Sequence, residues 1–135
     1  MAANTEGSCS CGAVRFRVTG PFESFFLCHC RRCRKDTGSA HAANLFSQAA
    51  ELHWLRGQDT VRTYRVPHTR HRKSFCTICG SSVPNSADDG AGIVVPAGCL
   101  DSAIDLLPDA HIFCASRAEW DVRLEDIPHC AALPG

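Results

Sequence analysis

Phe25-Phe26-Leu27-Cys28-His29-Cys30-Arg31-Arg32-Cys33 is the stretch on which the reading of this chain turns. A short apolar run leads into three cysteines within six residues. Thiolates at this spacing can converge on one ion while the chain turns between them. Three protein ligands leave one corner of a tetrahedron open, which is the arrangement of catalytic rather than structural zinc. The competing reading is a closed structural site completed by His29, His41, Cys99 or Cys114. His29 suits that role badly, because in an extended Cys-His-Cys segment its side chain leaves the backbone opposite to those of Cys28 and Cys30. A redox dithiol at Cys30 and Cys33 is disfavoured as well, since a thioredoxin-like motif needs a βαβ surround that the flanking sequence does not offer.

Ten of the 135 residues are cysteine, and seven of them cluster. Beside the triplet stand Cys9-Ser10-Cys11-Gly12 and Cys76-Thr77-Ile78-Cys79-Gly80, whereas Cys99, Cys114 and Cys130 are single. The opening MAANTEGSCSCG has neither the basic nor the apolar region of a secretion signal, and no apolar run approaches the length of a membrane span. The expectation is a cytoplasmic protein with no membrane partner. In a reducing compartment close cysteine pairs point to metal rather than to disulfides. Cys9, Cys11, Cys76 and Cys79 supply four thiolates, a closed set suited to a structural zinc that ties the N-terminal strand to the middle of the chain across 64 intervening residues. The entropy of closing a loop grows only slowly with its length, while zinc contributes roughly 10 kcal/mol or more in small metal-folded peptides. The single cysteines read as small apolar core or tail residues, Cys130 belonging to the tail.

Lys+Arg and Asp+Glu both number 14, so the formal charge is zero. That excludes a chain-wide attraction to nucleic acid or to an anionic membrane. Charge is concentrated locally, where Arg31, Arg32, Arg34 and Lys35 face only Asp36 beside the triplet. Zinc with three thiolates is formally −1, so these residues can offset it and attract a ligand bearing carboxylates. The planar guanidinium groups of Arg31 and Arg32 suit that contact, and a small anionic thiol is the guest they favour. The plainer reading of the run is a solvated helical face.

The rest of the chain reads as mainly β. Val14, Phe16 and Val18 alternate with Arg15 and Arg17 over 13–18, the period of a half-buried strand, and Gly20-Pro21 ends it. Further short strands are expected at 41–46, 52–55, 60–66, 71–75, 92–97 and 111–114, bounded by turn-forming residues. One or two helical turns are expected over 31–36, closed by Gly38. Asn85-Ser86-Ala87-Asp88-Asp89-Gly90-Ala91-Gly92 reads as a mobile loop in which Asp88 and Asp89 are turn residues, and 128–135 as a flexible tail. Trp54 and Trp120 are expected to anchor the core. One domain spans 1–135 with its core at about 7–120, since domains cluster near about 100 to 150 residues.

The order Cys9-x-Cys11-Gly12, Cys28-His29-Cys30-x-x-Cys33, Phe75-Cys76-x-x-Cys79-Gly80 and the late stretch from His111-Ile112-Phe113 to Glu119-Trp120 resembles the glutathione-dependent formaldehyde-activating enzyme family. The resemblance runs from about Gly7 to Trp120 and takes in Gly57, Tyr64 and Gly98-Cys99-Leu100-Asp101. It implies a β-tent fold of several small twisted antiparallel sheets, a structural zinc on Cys9, Cys11, Cys76 and Cys79, and a second zinc on Cys28, Cys30 and Cys33. It also implies glutathione as co-substrate and a carbon-sulfur lyase activity, the condensation of formaldehyde with glutathione to S-hydroxymethylglutathione. Related folds serve as nucleotide-release chaperones and chromatin proteins.

The expectation is therefore a zinc-dependent lyase that adds a glutathione-like thiol to formaldehyde or another small electrophile. Cys28, Cys30 and Cys33 are its catalytic residues, and Arg31 and Arg32 contact the carboxylates of glutathione. The other reading is a binding module of the same fold in which both metals are structural. A thiol taking the open corner would lose its proton and become the nucleophile. His29, His41 and His71 are the candidate proton donors. The oligomeric state is left open, a homodimer included.

Overall fold

The structure is a computed structural model that describes residues 4–86 and 92–135. Eleven short strands form among them: β1 Asn4–Ser8, β2 Arg15–Thr19, β3 Ser24–Cys28, β4 Ala42–Ser47, β5 Glu51–Arg56, β6 Val61–Arg65, β7 Arg72–Cys76, β8 Ser82–Val83, β9 Asn85–Ser86, β10 Ile93–Pro96 and β11 Ala110–Ile112. Among the described residues the single α-helix, α1, spans Arg31–Thr37, and short 3-10 turns fill several connections. The chain is mainly β, as expected. Its strands make three small sheets, ordered β1-β2-β5, β11-β3-β4-β10-β9 and β6-β7-β8. All pairings are antiparallel except β11 with β3, which is parallel. That one exception to the expected antiparallel sheets follows from connectivity. The chain returns to β3 from far along the sequence, so no hairpin dictates the direction.

Alternation places the core where the sequence period said it would. Phe16 and Val18 of β2, Phe25 of β3, Leu45 of β4, and Ile93 and Val95 of β10 form the main buried cluster with Ala50. Arg15 and Arg17 turn outward and both reach Glu6 across the sheet. Trp54 packs against this core, edge-on to Phe16 with ring centroids 6.2 Å apart. Trp120 does not anchor a core; it is 62 % exposed on the C-terminal segment. β1 has too little apolar content to be read as a strand, yet its complete register with β2 gives it a place. Gly7 makes this possible, because a Cβ there would lie 2.4 Å from Phe16 Cζ and 2.5 Å from the Cys99 carbonyl oxygen.

The expected loop at 85–92 is corrected at its start. Asn85 and Ser86 form β9 and pair with Val94 and Ile93. Asp88 and Asp89 lie outside the described residues. The expected strand at 111–114 is shorter at its end, where Phe113 takes a left-handed conformation (φ 55) and leads into a 3-10 turn. Cys114 is consequently exposed rather than buried, while Cys99 is half-buried and Cys130 exposed. Among the described residues no helix is long and apolar enough to cross a membrane.

Candidate metal centres and the cavity between them

Two knuckles form the first cysteine group. After β1, the amide of Gly12 donates to the Cys9 carbonyl at 3.1 Å and the amide of Cys9 to the Val14 carbonyl at 3.1 Å. After β7, the amide of Gly80 donates to the Cys76 carbonyl at 2.8 Å and that of Cys76 to the Ser81 carbonyl at 3.0 Å. Gly12 and Gly80 have φ of 79 and 77, a left-handed turn that glycine takes without strain. Each turn aims its two thiols at one point, and a hydrogen bond from Ser10 N to Ser81 Oγ of 2.9 Å joins the turns. The four sulfurs lie within 4.8 Å of one another. Cys9 Sγ is 3.6 Å from Cys11 Sγ, and Cys11 Sγ is 3.9 Å from Cys76 Sγ. Zinc bonds of 2.3 Å in a tetrahedron would separate ligand sulfurs by about 3.8 Å, so the group fits that ion.

Its electrostatics favour a cation. Burial opposes ionisation of Cys9, but the Val14 amide, 3.2 Å from its sulfur, and the neighbouring thiols bring its pKa below the ordinary thiol value. The side chain and amide of Ser81 lower Cys79 to about 5. Cys11 is pushed up to about 11, because partial desolvation and the three adjacent sulfurs outweigh the Ala13 amide. Thiolate and thiol thus share the cluster, and a divalent ion would displace the retained protons.

The triplet is built differently. Cys28 closes β3 between β4 and β11, with Ala42 and Ile112 as its register partners. Cys30 is the N-cap of α1, accepting at its sulfur from the Cys33 amide at 3.4 Å, and Cys33 lies buried in the first turn. At the other end Gly38, with φ 65, closes the helix by donating to the Arg34 carbonyl at 2.8 Å, as its sequence position suggested. A strand end, a cap and a first turn bring three sulfurs within 4.8 Å of one another, and among the described residues no fourth ligand joins them. Burial raises Cys28 and Cys33 above the ordinary thiol value. It opposes ionisation of Cys30 too, but the Cys33 amide and the adjacent thiols prevail and lower it.

The four residues considered as a fourth ligand lie elsewhere. His29 is buried and turned from the thiols, with Nε2 2.8 Å from His111 Nδ1 and Nδ1 2.9 Å from Asp121 Oδ2. The His29–Asp121 approach is close but off the line of a hydrogen bond, and neither atom has another partner. His41 packs its ring against those of His29 and His111, and burial together with these neighbours lowers its pKa. The Cys99 thiol donates to the Pro96 carbonyl at 3.0 Å, and burial pushes its pKa up to about 12. Cys114 is exposed in the 3-10 turn beyond β11.

A cavity of about 700 Å³ connects the groups, its lining including Cys9 of the first and Cys33 of the second. Among its polar lining, the charged and imidazole side chains are those of Asp36, His71, Arg72, Lys73 and Asp101. Asp36 organises this wall: its carboxylate pairs with His71 Nε2, and its carbonyl accepts from Lys73 Nζ. Of the three histidines considered as proton donors, His71 alone lines the cavity. Arg31 and Arg32 are exposed on α1 and are not among the lining residues. Sequence reasoning missed Lys73, Asp36, His111 and Asp121. Only the packing of β7 and the residue before it against α1, the register of β11 beside β3, and the approach of the later segment to His29 bring them to these places, and no local pattern announces it.

The sequence profile of the family described as glutathione-dependent formaldehyde-activating enzyme matches residues 4–116. A Halomonas elongata protein named for the same enzyme is 32% identical over 125 residues, an alignment covering 85% of this chain and 78% of the relative. A crystal structure of a Rhodobacter sphaeroides protein is similar in fold, with a TM-score of 0.58 at 23% identity over 78% of this chain and 98% of that one.

Proposed function

The chain belongs to the glutathione-dependent formaldehyde-activating enzyme family, and from that premise we propose that it is a zinc-dependent carbon-sulfur lyase joining a glutathione-like thiol to formaldehyde or another small electrophile. The observation that carries this reading is the cavity with Cys33 in its lining, which brings a guest to a three-thiol group lacking a fourth protein ligand among the described residues. At about 700 Å³ it lies within the range of pockets that enclose compact organic ligands.

Cys9, Cys11, Cys76 and Cys79 would hold a structural zinc, and Cys28, Cys30 and Cys33 a second. When bound at the triplet, zinc supplies a position at which a thiol gives up its proton at neutral pH. The chain does the rest. Lys73 places an ammonium in the cavity wall, where it attracts the carboxylates of an anionic thiol. Arg31 and Arg32, on the outer face of α1, extend that attraction to the approach. His71, which lines the cavity and is held by the Asp36 carboxylate, would pass a proton to the oxygen that gains charge when sulfur adds to a carbonyl. Apolar lining from Val83, Val94 and Pro96 limits water around the reacting groups.

Zinc-edge X-ray absorption with and without glutathione tests the reading, followed by a screen of aldehydes for thiol-dependent consumption. One additional sulfur ligand per second-site zinc is the expected result. An unchanged sulfur count at saturating glutathione would identify both centres as structural and leave the binding-module reading in its place.

A further inference from the structure

The chain beyond β11 touches the body at few points. Ala118 is buried and Asp121 faces His29, but nearly every other residue from 113 to 135 is exposed. What the segment exposes is strongly apolar: Phe113, Trp120, Val122, Leu124, Ile127 and Leu133 are each at least 38 % exposed. These are six of the eleven large apolar side chains that stand exposed among the described residues. A segment holding about one-sixth of the chain thus carries more than half of its exposed large apolar groups, a concentration that marks an interaction site rather than scattered surface residues.

The area of the whole molecule points the same way. A compact monomer of 14.6 kDa is expected to expose about 6,900 Å². This chain exposes 8810 Å², an excess of about 1,900 Å² over that scaling. A standard interface covers about 800 Å² on each partner, and obligate dimers cover more. The excess is more than enough for the half of a standard interface that one protomer supplies. We infer that the segment 113–133 is one half of a two-fold interface whose occupant is the same segment of a second copy of this chain.

Charge supports a second copy over a lipid surface. Arg117, Glu119, Arg123, Glu125 and Asp126 are interleaved with the apolar residues, so both signs occur on one short stretch. Two copies related by a two-fold axis can set the arginines of one against the carboxylates of the other, because such an interface presents the same patch twice. Lipid would instead require those carboxylates to enter a headgroup region beside the apolar groups. The interface also has a bearing on the triplet. Trp120 and Val122 flank Asp121, so pairing the segments covers the Asp121–His29 contact behind Cys28 and Cys30.

Sedimentation equilibrium of the zinc-loaded full chain at micromolar concentration tests the inference. Twice the 14.6 kDa mass is expected. The double variant Trp120→Asp/Ile127→Asp, both positions being exposed, should weaken the dimer by roughly 100-fold or more while keeping the far-ultraviolet spectrum. Leu107→Asp, at a similarly exposed position outside the segment, should leave the dimer intact. If the double variant fails to fold, Val122→Lys replaces it. A wild type that sediments as a monomer, whether or not it binds phosphatidylcholine–phosphatidylglycerol vesicles, overturns the inference, and so does a dimer indifferent to these substitutions.

Discussion

Replacing one cysteine in each group should have opposite consequences for the fold if the proposed zinc sites are right. Cys76 is fully buried at the end of β7, and with Cys9, Val14 and Val83 it makes up a core cluster of only four buried residues. In Cys76→Ser a hydroxyl replaces the sulfur there and three thiols are left without a closed tetrahedron. A structural zinc is worth roughly 10 kcal/mol or more in small metal-folded peptides, against about 5–15 kcal/mol for the net stability of a typical domain. Losing that contribution removes most or all of the folded population. Cys30 is half-buried and caps α1, and serine is among the best N-cap residues, so Cys30→Ser keeps the helix start while removing one of the three sulfurs of the proposed second site. Its cost should be about 1 kcal/mol, a melting shift of roughly 3–6 °C at this length. Zinc per chain by mass spectrometry and thermal unfolding by circular dichroism measure both effects. Cys30→Ser should hold one zinc and unfold cooperatively, and Cys76→Ser should show no cooperative transition. If each variant lost one zinc and both kept a native spectrum, the division into structural and catalytic centres would be wrong.

Three further outcomes are expected. In Gly57→Ala the new Cβ would lie 2.0 Å from the Ala13 carbonyl oxygen at a backbone φ of +77, which forces the β5–β6 turn off the first knuckle. A melting loss above about 10 °C is expected, whereas Gly12→Ala meets nothing within 4 Å and should cost only the roughly 1–2 kcal/mol of a left-handed alanine. Alkaline pH should weaken the fold through Cys99, whose thiol ionises near the ordinary value of 9.0 in the unfolded chain and is pushed by burial to about 12 in the folded one. Between those values the unfolded chain has released a proton that the folded chain keeps, so stability falls by up to about 1.4 kcal/mol per pH unit. Urea unfolding of wild type and Cys99→Ala at several alkaline pH values checks this, and equal slopes would refute it. Asp121→Ala removes the carboxylate 2.9 Å from His29 Nδ1 and should cost only about 1 kcal/mol, because that approach carries no aligned hydrogen bond to lose. A melting change within error would show that the contact contributes nothing.

Local chemistry made much of the architecture legible. Two cysteines one or two residues apart are held within reach of one point by the covalent chain. The pairs at 9/11 and 76/79 and the triplet at 28/30/33 are therefore legible in the residue order, and the folded chain brings the same groups together. The alternation over 13–18 and Gly38 after the helix are signals of the same short range, and β2 and α1 appear close to where these placed them. β1, β8 and β9 escaped, because NTEGS, SV and NS carry almost no apolar period and become strands only when a neighbour's backbone is set beside them, and β3 was legible only as an apolar run leading into the triplet.

The cavity and its wall were decided at longer range. Whether Arg31 or Lys73 lines the cavity depends on how β7 lies against α1, and which group His29 faces depends on a carboxylate 92 residues further along the chain. Such choices follow from the packing of whole sheets, where a rotation of one element replaces one side chain by its neighbour at the same point in space. Residue order alone therefore determined which neighbouring sulfurs form each pair and the triplet, a matter of bond lengths and a few dihedral angles, while the meeting of the 9/11 and 76/79 pairs needed the sheets. Tertiary structure decided what faces those sulfurs and what shields them, because contacts between distant segments arise only from the sum of all the packing interactions that position them.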